Sequence, residues 1–227
     1  MVERQRRDNE ETEEAILDER IGTKHVQILL DRSGSMAILK DAMEESYGGF
    51  LREQMAIPGA GDIKFVLSQF DTQGVKDVEV GTLLSAKPLT LVPRGGTPLY
   101  DSILSTISNA EKRMASDDVM LFVVITDGGN NEGTATKEEV GKRIAEKMDN
   151  GWAFIYLGAN QDAWAVSRAM GFAQNTSLTY DASVIGTQRT YGAISNTVGR
   201  YRKVTKRSAV ASLKIKSNDK KRSMPRA

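Results

Sequence analysis

The chain has 227 residues, 40% of them apolar and 27% charged, with one His and no Cys. That length suits one large domain with extensions and a buried core, and the composition excludes disulfides, thiolate metal sites, cysteine nucleophiles and multi-histidine zinc sites, so any metal must be held by oxygen. The formal net charge of +1 hides opposite ends: residues 1–22 carry −4, residues 200–227 carry +10, and the stretch between them −5.

Residues 1–22 are charge-dense, with Ala15, Ile16, Leu17 and Ile21 as the main apolar group, and read as an N-terminal extension. The run HVQILLD alternates Val26, Ile28 and Leu30 and ends at Asp31, as expected of a buried strand that stops at a functional loop. After RSGS, Leu39, Met43, Tyr47, Phe50 and Leu51 recur at helical spacing. DIKFVLSQFD and VKDVEVG flank a DTQG turn and predict an antiparallel hairpin at the sheet edge. The loop KPLTLVPRGG leads into a helical pattern over 98–114, with Pro98 near its start. VMLFVVITD is nearly all apolar, the pattern of a central parallel strand covered on both faces. Helices over 137–148 and 162–170, a strand WAFIYLG, an edge strand SLTYD and a helix over 183–204 complete the pattern. Strands alternating with helices predict an α/β fold, a Rossmann-like three-layer sandwich whose twisted, mostly parallel sheet has one antiparallel edge strand and helices on both faces. The expected division is a charged extension over 1–22, the domain over 23–205 and a basic, disordered tail over 206–227.

In open sheets of this kind ligands bind beyond the carboxyl ends of the strands. The first strand runs into Asp31-Arg32-Ser33-Gly34-Ser35, the central strand ends in Thr126-Asp127-Gly128, and Gly95-Gly96-Thr97 opens a helix between them. Together they supply carboxylates and hydroxyls and no soft ligand, a donor set for near-octahedral Mg²⁺ or Mn²⁺. Parallel strands lie about 4.8 Å apart, so Asp31 and Asp127 can sit side by side while Thr97 reaches in from the third loop. Gly34 is expected to let the backbone bend closely. A simpler alternative has Ser33 and Ser35 capping the helix that follows, Asp31 capping the strand and Thr97 capping its own helix.

DRSGS after one apolar strand, GGTPLYDSI, and VITDGGNN after a second apolar strand resemble the von Willebrand factor A domain and its metal-ion-dependent adhesion site, over about residues 24–205. That family's pattern, Asp-x-Ser-x-Ser with a later Thr and a later Asp, falls on Asp31, Ser33, Ser35, Thr97 and Asp127. YLGANQDAWAVSRAMGF is similar to small single-domain members from bacteria and bacteriophages. The resemblance implies a metal-dependent adhesion or scaffolding module, in which an Asp or Glu of a protein partner completes the shell of the bound cation. An ion held by two carboxylates and three neutral hydroxyls stays electrophilic, and the dipole of the helix after Ser35 favours an anionic visitor.

The alternatives are a metal-dependent hydrolase or phosphoryl-transfer enzyme with Asp31 as nucleophile, and a nucleic-acid-associated scaffold acting through the basic tail. Against the enzyme, Ser33 stands where phosphatases of similar topology place a second carboxylate, and no His, Cys or poised Lys supplies a general acid or base. Against nucleic acid, residues 200–227 hold one aromatic, Tyr201. No apolar window spans a membrane and the N-terminus has no apolar signal core, so membrane insertion is not expected and the expected location is the cytoplasm of a bacterial or phage-infected cell. The oligomeric state is not legible. Asp71 and Glu132 read as strand caps or solvent-facing residues, with the rim of the site as the alternative; His25 reads as an edge residue with a satisfied hydrogen bond, and Trp152 and Trp164 read as core.

Overall fold

Apolar alternation builds the centre of the molecule first. In the computed structural model, which describes residues 21–159, 162–205, 210 and 213–215, every residue of β4 (Val119–Thr126) is buried. Val119, Leu121, Val123 and Ile125 enter one core cluster, whereas Met120, Phe122 and Val124 enter another, which is the two-faced burial that a parallel strand under helices requires. β1 (Lys24–Asp31) pairs with β4 on one side and with β2 (Ile63–Asp71) on the other, both in parallel. β3 (Gly74–Thr82) returns antiparallel along β2 through the expected tight turn. β5 (Trp152–Ala159) and β6 (Ser177–Tyr180) extend the sheet on the far side of β4. The strand order is β3-β2-β1-β4-β5-β6.

Among the described residues five α-helices cover the sheet. α1 (Lys40–Met55) and α5 (Val184–Tyr201) pack Met43, Tyr47, Phe50, Tyr191, Ile194 and Val198 against one face. α2 (Leu99–Glu111), α3 (Lys137–Asp149) and α4 (Ala163–Ala169) cover the other with Ile103, Ile107, Val140, Ile144 and Ala163. The predicted three-layer α/β sandwich with one antiparallel edge is therefore the observed architecture. Its consequence for function is topological. The chain leaves β1 toward α1 on one face and leaves β4 toward α3 on the opposite face, so the loops after these adjacent strands diverge and open a crevice between Asp31 and Asp127.

Several expectations need correction. RSGS does not run straight into the helix: a 3-10 turn, Gly34–Leu39, intervenes. His25 is not at an edge but lies in β1, an interior strand, buried, with Nε2 2.9 Å from Asp118 Oδ2. Trp152 is core and stacks with Phe154 and Phe122. Trp164 is 49% exposed, with the Arg168 guanidinium 5.1 Å from its ring; the seven-residue α4 is too short to hide both its faces. The tail boundary at 205 does not end the packed core, because Val210, Leu213 and Ile215 are buried in it and the Ile215 N–H donates to the Asn175 carbonyl at 2.9 Å. The extension up to residue 20 and the remainder of 206–227 lie outside the described residues. Among the described residues no helix is long and apolar enough to cross a membrane.

Candidate metal centre

Strand register sets the position of the two carboxylates. Leu30 pairs with Ile125, so Asp31 stands beside Thr126, whose hydroxyl donates to Asp31 Oδ2 at 2.6 Å. The other Asp31 oxygen accepts the Ser33 backbone N–H at 2.7 Å, which curls the loop back over the strand end. Ser33 Oγ then lies 3.1 Å from Ser35 Oγ, and Ser35 Oγ donates to Asp127 Oδ1 at 2.8 Å. Four of the five predicted residues thus form one row of oxygens, from a fully buried Asp31 to an exposed Ser35 and a half-buried Asp127.

Thr97 joins the others through its backbone. The Gly34 N–H donates to the Gly95 carbonyl at 2.9 Å, and the Arg94 N–H to the Arg32 carbonyl at 2.8 Å, so the loop before α2 lies along the first loop. From the other side, Asn131 Oδ1 accepts the Thr97 N–H at 2.7 Å, while the Asn131 N–H donates to the Thr97 carbonyl at 3.1 Å. Thr97 is buried between these two loops, and among the described residues no hydrogen bond joins its hydroxyl to the row. The close approach depends on Gly95 rather than Gly34. Gly95 has φ +65°, where a side chain is strained, and a Cβ there would meet Thr72 Oγ1 at 2.6 Å; a Cβ at Gly34 would meet only the Gly95 carbonyl, at an ordinary 3.5 Å.

Asp31 does cap the end of β1, by accepting the Ser33 N–H, but the helix-capping part of the alternative does not hold. Ser33 is the N-cap of the 3-10 turn without a side-chain cap bond, Leu39 and Pro98 are the N-caps of α1 and α2, and neither makes one. The serine hydroxyls are turned to each other and to a carboxylate instead.

The electrostatics suit a cation. Burial pushes the Asp31 carboxyl up to about 6 against the hydrogen bonds from Thr126 and Ser33, and the Asp127 charge adds to the rise. Burial likewise raises Asp127, opposed by the Ser35 hydroxyl. Two carboxylates held close in a desolvated crevice are a repulsive pair that a divalent ion relieves. The donors are all hard oxygens, and the exposed end of the row leaves room for water or a further ligand, so the residues present fit such an ion.

The nearest arginine does not neutralise that pair. Arg32 Nε lies 2.8 Å from Asp71 Oδ2, and Arg94 Nε bonds the same oxygen at 2.6 Å. Burial raises Asp71, but the Arg94 hydrogen bond, the Gln73 N–H and the two guanidinium charges outweigh it and hold its carboxyl below the usual range. Asp71 is therefore a buried anchor for the two loops rather than an open rim group. Glu132 is exposed, with its carboxylate beside Gly96, and so lies at the rim. Sequence reasoning missed Thr126, Asn130 and Asn131. Asn130 Oδ1 accepts the Tyr100 N–H at 3.0 Å, so the pair of asparagines fastens the Asp127 loop to the start of α2. A lone hydroxyl ending an apolar strand was the available signal for Thr126.

A twisted α/β sheet with a carboxylate and hydroxyl cluster at its switch point places the molecule among folds that carry ligands at the carboxyl edge. The fold is that of the von Willebrand factor A domain. Proximal thread matrix protein 1 of the mussel byssus superposes with a TM-score of 0.58 at 21% identity, over 80% of this chain and 49% of that one. Another structure of it, with a zinc-occupied MIDAS motif, matches at 20% identity and the same TM-score. The ArnB paralog VWA2 from Sulfolobus acidocaldarius matches with a TM-score of 0.55 at 16% identity, over 78% of this chain and 46% of that one. The chain spans about half the length of these structures. No family model and no curated protein matches the sequence.

Proposed function

We propose that the chain is a metal-dependent protein-binding module without catalytic activity. Asp31, Ser33, Ser35, Thr97 and Asp127 would hold one divalent cation, and an Asp or Glu of a protein partner would complete its shell. The observation that carries this reading is the hydrogen-bonded row from Asp31 through Ser33 and Ser35 to Asp127, built across adjacent strands, with the Thr97 loop tied to both sides. The zinc-occupied MIDAS of the mussel byssus protein supports a metal at this place in the fold. For this chain the all-oxygen donors favour Mg²⁺ or Mn²⁺, since nitrogen and sulfur ligands that select zinc are missing from the row. When bound, the ion supplies a Lewis-acidic point for a carboxylate. The chain's own part is to hold the two carboxylates together in a crevice where their ionised forms lack a cation, to orient the hydroxyls, and to leave the Ser35 side open.

The test is affinity capture on the immobilised full chain in Mg²⁺, in chelator, and with Asp31→Ala in Mg²⁺. Proteins retained in Mg²⁺ and lost in both other arms are expected. A retained set identical in all three would overturn the proposal.

A further inference from the structure

The flank of the molecule beyond β5 carries a hollow that the metal centre does not use. A cavity of about 280 Å³ lies between α4 and the loop that leads to β6. Trp164, Ser167 and Arg168, three and four residues apart, supply its wall from one side of α4, and Phe172, Ala173 and Gln174 supply the rest. None of these residues belongs to the oxygen row or to the loops that carry it.

Backbone bonds hold this hollow open. The Gly171 N–H donates to the Arg168 carbonyl and the Phe172 N–H to the Ser167 carbonyl, each at 3.0 Å, so the loop doubles back on α4. Gly171 has φ +80° and lies so close to α3 that a Cβ there would come within 3.1 Å of Gly141 Cα. The Thr176 hydroxyl fastens the far side by donating to the Ala173 carbonyl at 2.7 Å. Phe172 is buried, its ring T-shaped against Phe154 and Tyr156, so the aromatic part of the wall is fixed before any ligand arrives.

The lining pairs a cation with flat apolar area. The Arg168 guanidinium lies 5.1 Å from the half-exposed Trp164 ring, and no acidic residue lines the cavity. Ser167 donates its hydroxyl to the Trp164 carbonyl at 3.1 Å, so Arg168 and the exposed Gln174 are the polar side chains left to a ligand. A guanidinium stacked by its face keeps its edge of N–H donors for a planar anion, and that fork matches a carboxylate. A cavity of about 150 Å³ already admits a benzene ring, so this one has room for a ring and its acid. We infer that the hollow binds a small aromatic carboxylate of one or two fused rings, its acid on Arg168 and its ring along Trp164 and Phe172. An inorganic anion would leave the aromatic wall unused, and a neutral ring would leave the guanidinium unused. The inference stands apart from the metal-dependent function.

The experiment is calorimetric titration of naphthoate into the full chain in chelator, so that no cation at the oxygen row can hold the acid. Saturable binding at a single site, with a dissociation constant of about 1 mM or tighter, is expected. Naphthylmethanol, which keeps the ring and lacks the charge, and acetate, which keeps the charge and lacks the ring, should each bind at least about tenfold more weakly. Arg168→Gln and Trp164→Ala should each weaken naphthoate about tenfold or more, while their thermal melts match the parent because both side chains are exposed. Absence of saturable binding, equal binding of the alcohol or of acetate, or naphthoate binding unchanged in Arg168→Gln or in Trp164→Ala would overturn the inference.

Discussion

β1 and β4 each meet a buried aspartate at both ends of the sheet, and the two ends treat it in opposite ways. At the amino end, Asp118 accepts the Thr23 N–H at 2.7 Å, the Ala115 N–H at 3.0 Å and His25 Nε2 at 2.9 Å. Burial raises its carboxyl, but those amides and His25 outweigh it and hold it below the usual range. At the carboxyl end Asp31 also has two donors, yet its carboxyl is pushed up to about 6. Burial is the largest cause at Asp31 and outweighs its donors, whereas at Asp118 the backbone amides and His25 outweigh burial; the neighbours add to this contrast. Asp118 has an imidazole, whereas Asp31 has a second carboxylate, and Arg32, one residue away, is committed to Asp71. One end is closed and satisfied, and the other is left short of positive charge.

The sharpest break between the two ends comes from removing each aspartate. Asp118→Ala leaves two amides and an imidazole without their acceptor and is expected to cost about 2–4 kcal/mol of stability, read from the denaturant midpoint, with cation uptake unchanged. Asp31→Asn should do the reverse. It abolishes cation uptake, but the metal-free protein at neutral pH should be as stable as the parent or about 1–2 kcal/mol more stable, because an ionised carboxylate in a desolvated crevice is replaced by a neutral amide. Equal destabilisation by both variants would contradict the contrast.

A titration sharpens it further. The Asp31 carboxyl is raised above its unfolded value, so between about pH 4 and 6 the folded state binds the extra proton. Metal-free stability from this group should fall as pH rises through that window and then level off. In Mg²⁺ the trend should invert, with affinity dropping about tenfold per pH unit below 6 because the ion requires the ionised form. Thermal melts across this range in Mg²⁺ and in chelator read both slopes. The smallest expected effect is that of Thr126→Val, which removes the hydroxyl on Asp31 Oδ2. Loss of that supporting bond should weaken Mg²⁺ binding about tenfold and lower stability by about 1 kcal/mol, measured by calorimetry and denaturation.

The carboxyl end of this comparison is legible in the sequence, and the amino end is not. The unbroken run of β4 announces burial on both faces, and the spacing of Asp31, Ser33 and Ser35 announces a loop of converging oxygens. What escaped depends on register and on partners distant in sequence. Thr126 meets Asp31 only because β1 and β4 are neighbours in one register. Asn131 matters only because its loop folds over α2. Asp71 reads as a strand cap, and it does accept the Gln73 N–H at the end of β2, but no local pattern shows that two arginines, one from each of two loops, pair with it. Trp164 was misplaced because two turns of helix define no face. Val210, Leu213 and Ile215 were hidden in a segment whose basic composition suggested solvation.

The central claim is that the oxygen row binds a divalent cation through Asp31. It is tested most directly by calorimetric titration of Mg²⁺, and of Mn²⁺ in parallel, into the full chain and into Asp31→Ala. Saturable uptake of one ion per chain by the parent, absent from the variant, is the expected result. No uptake by either protein, or equal uptake by both, would contradict it.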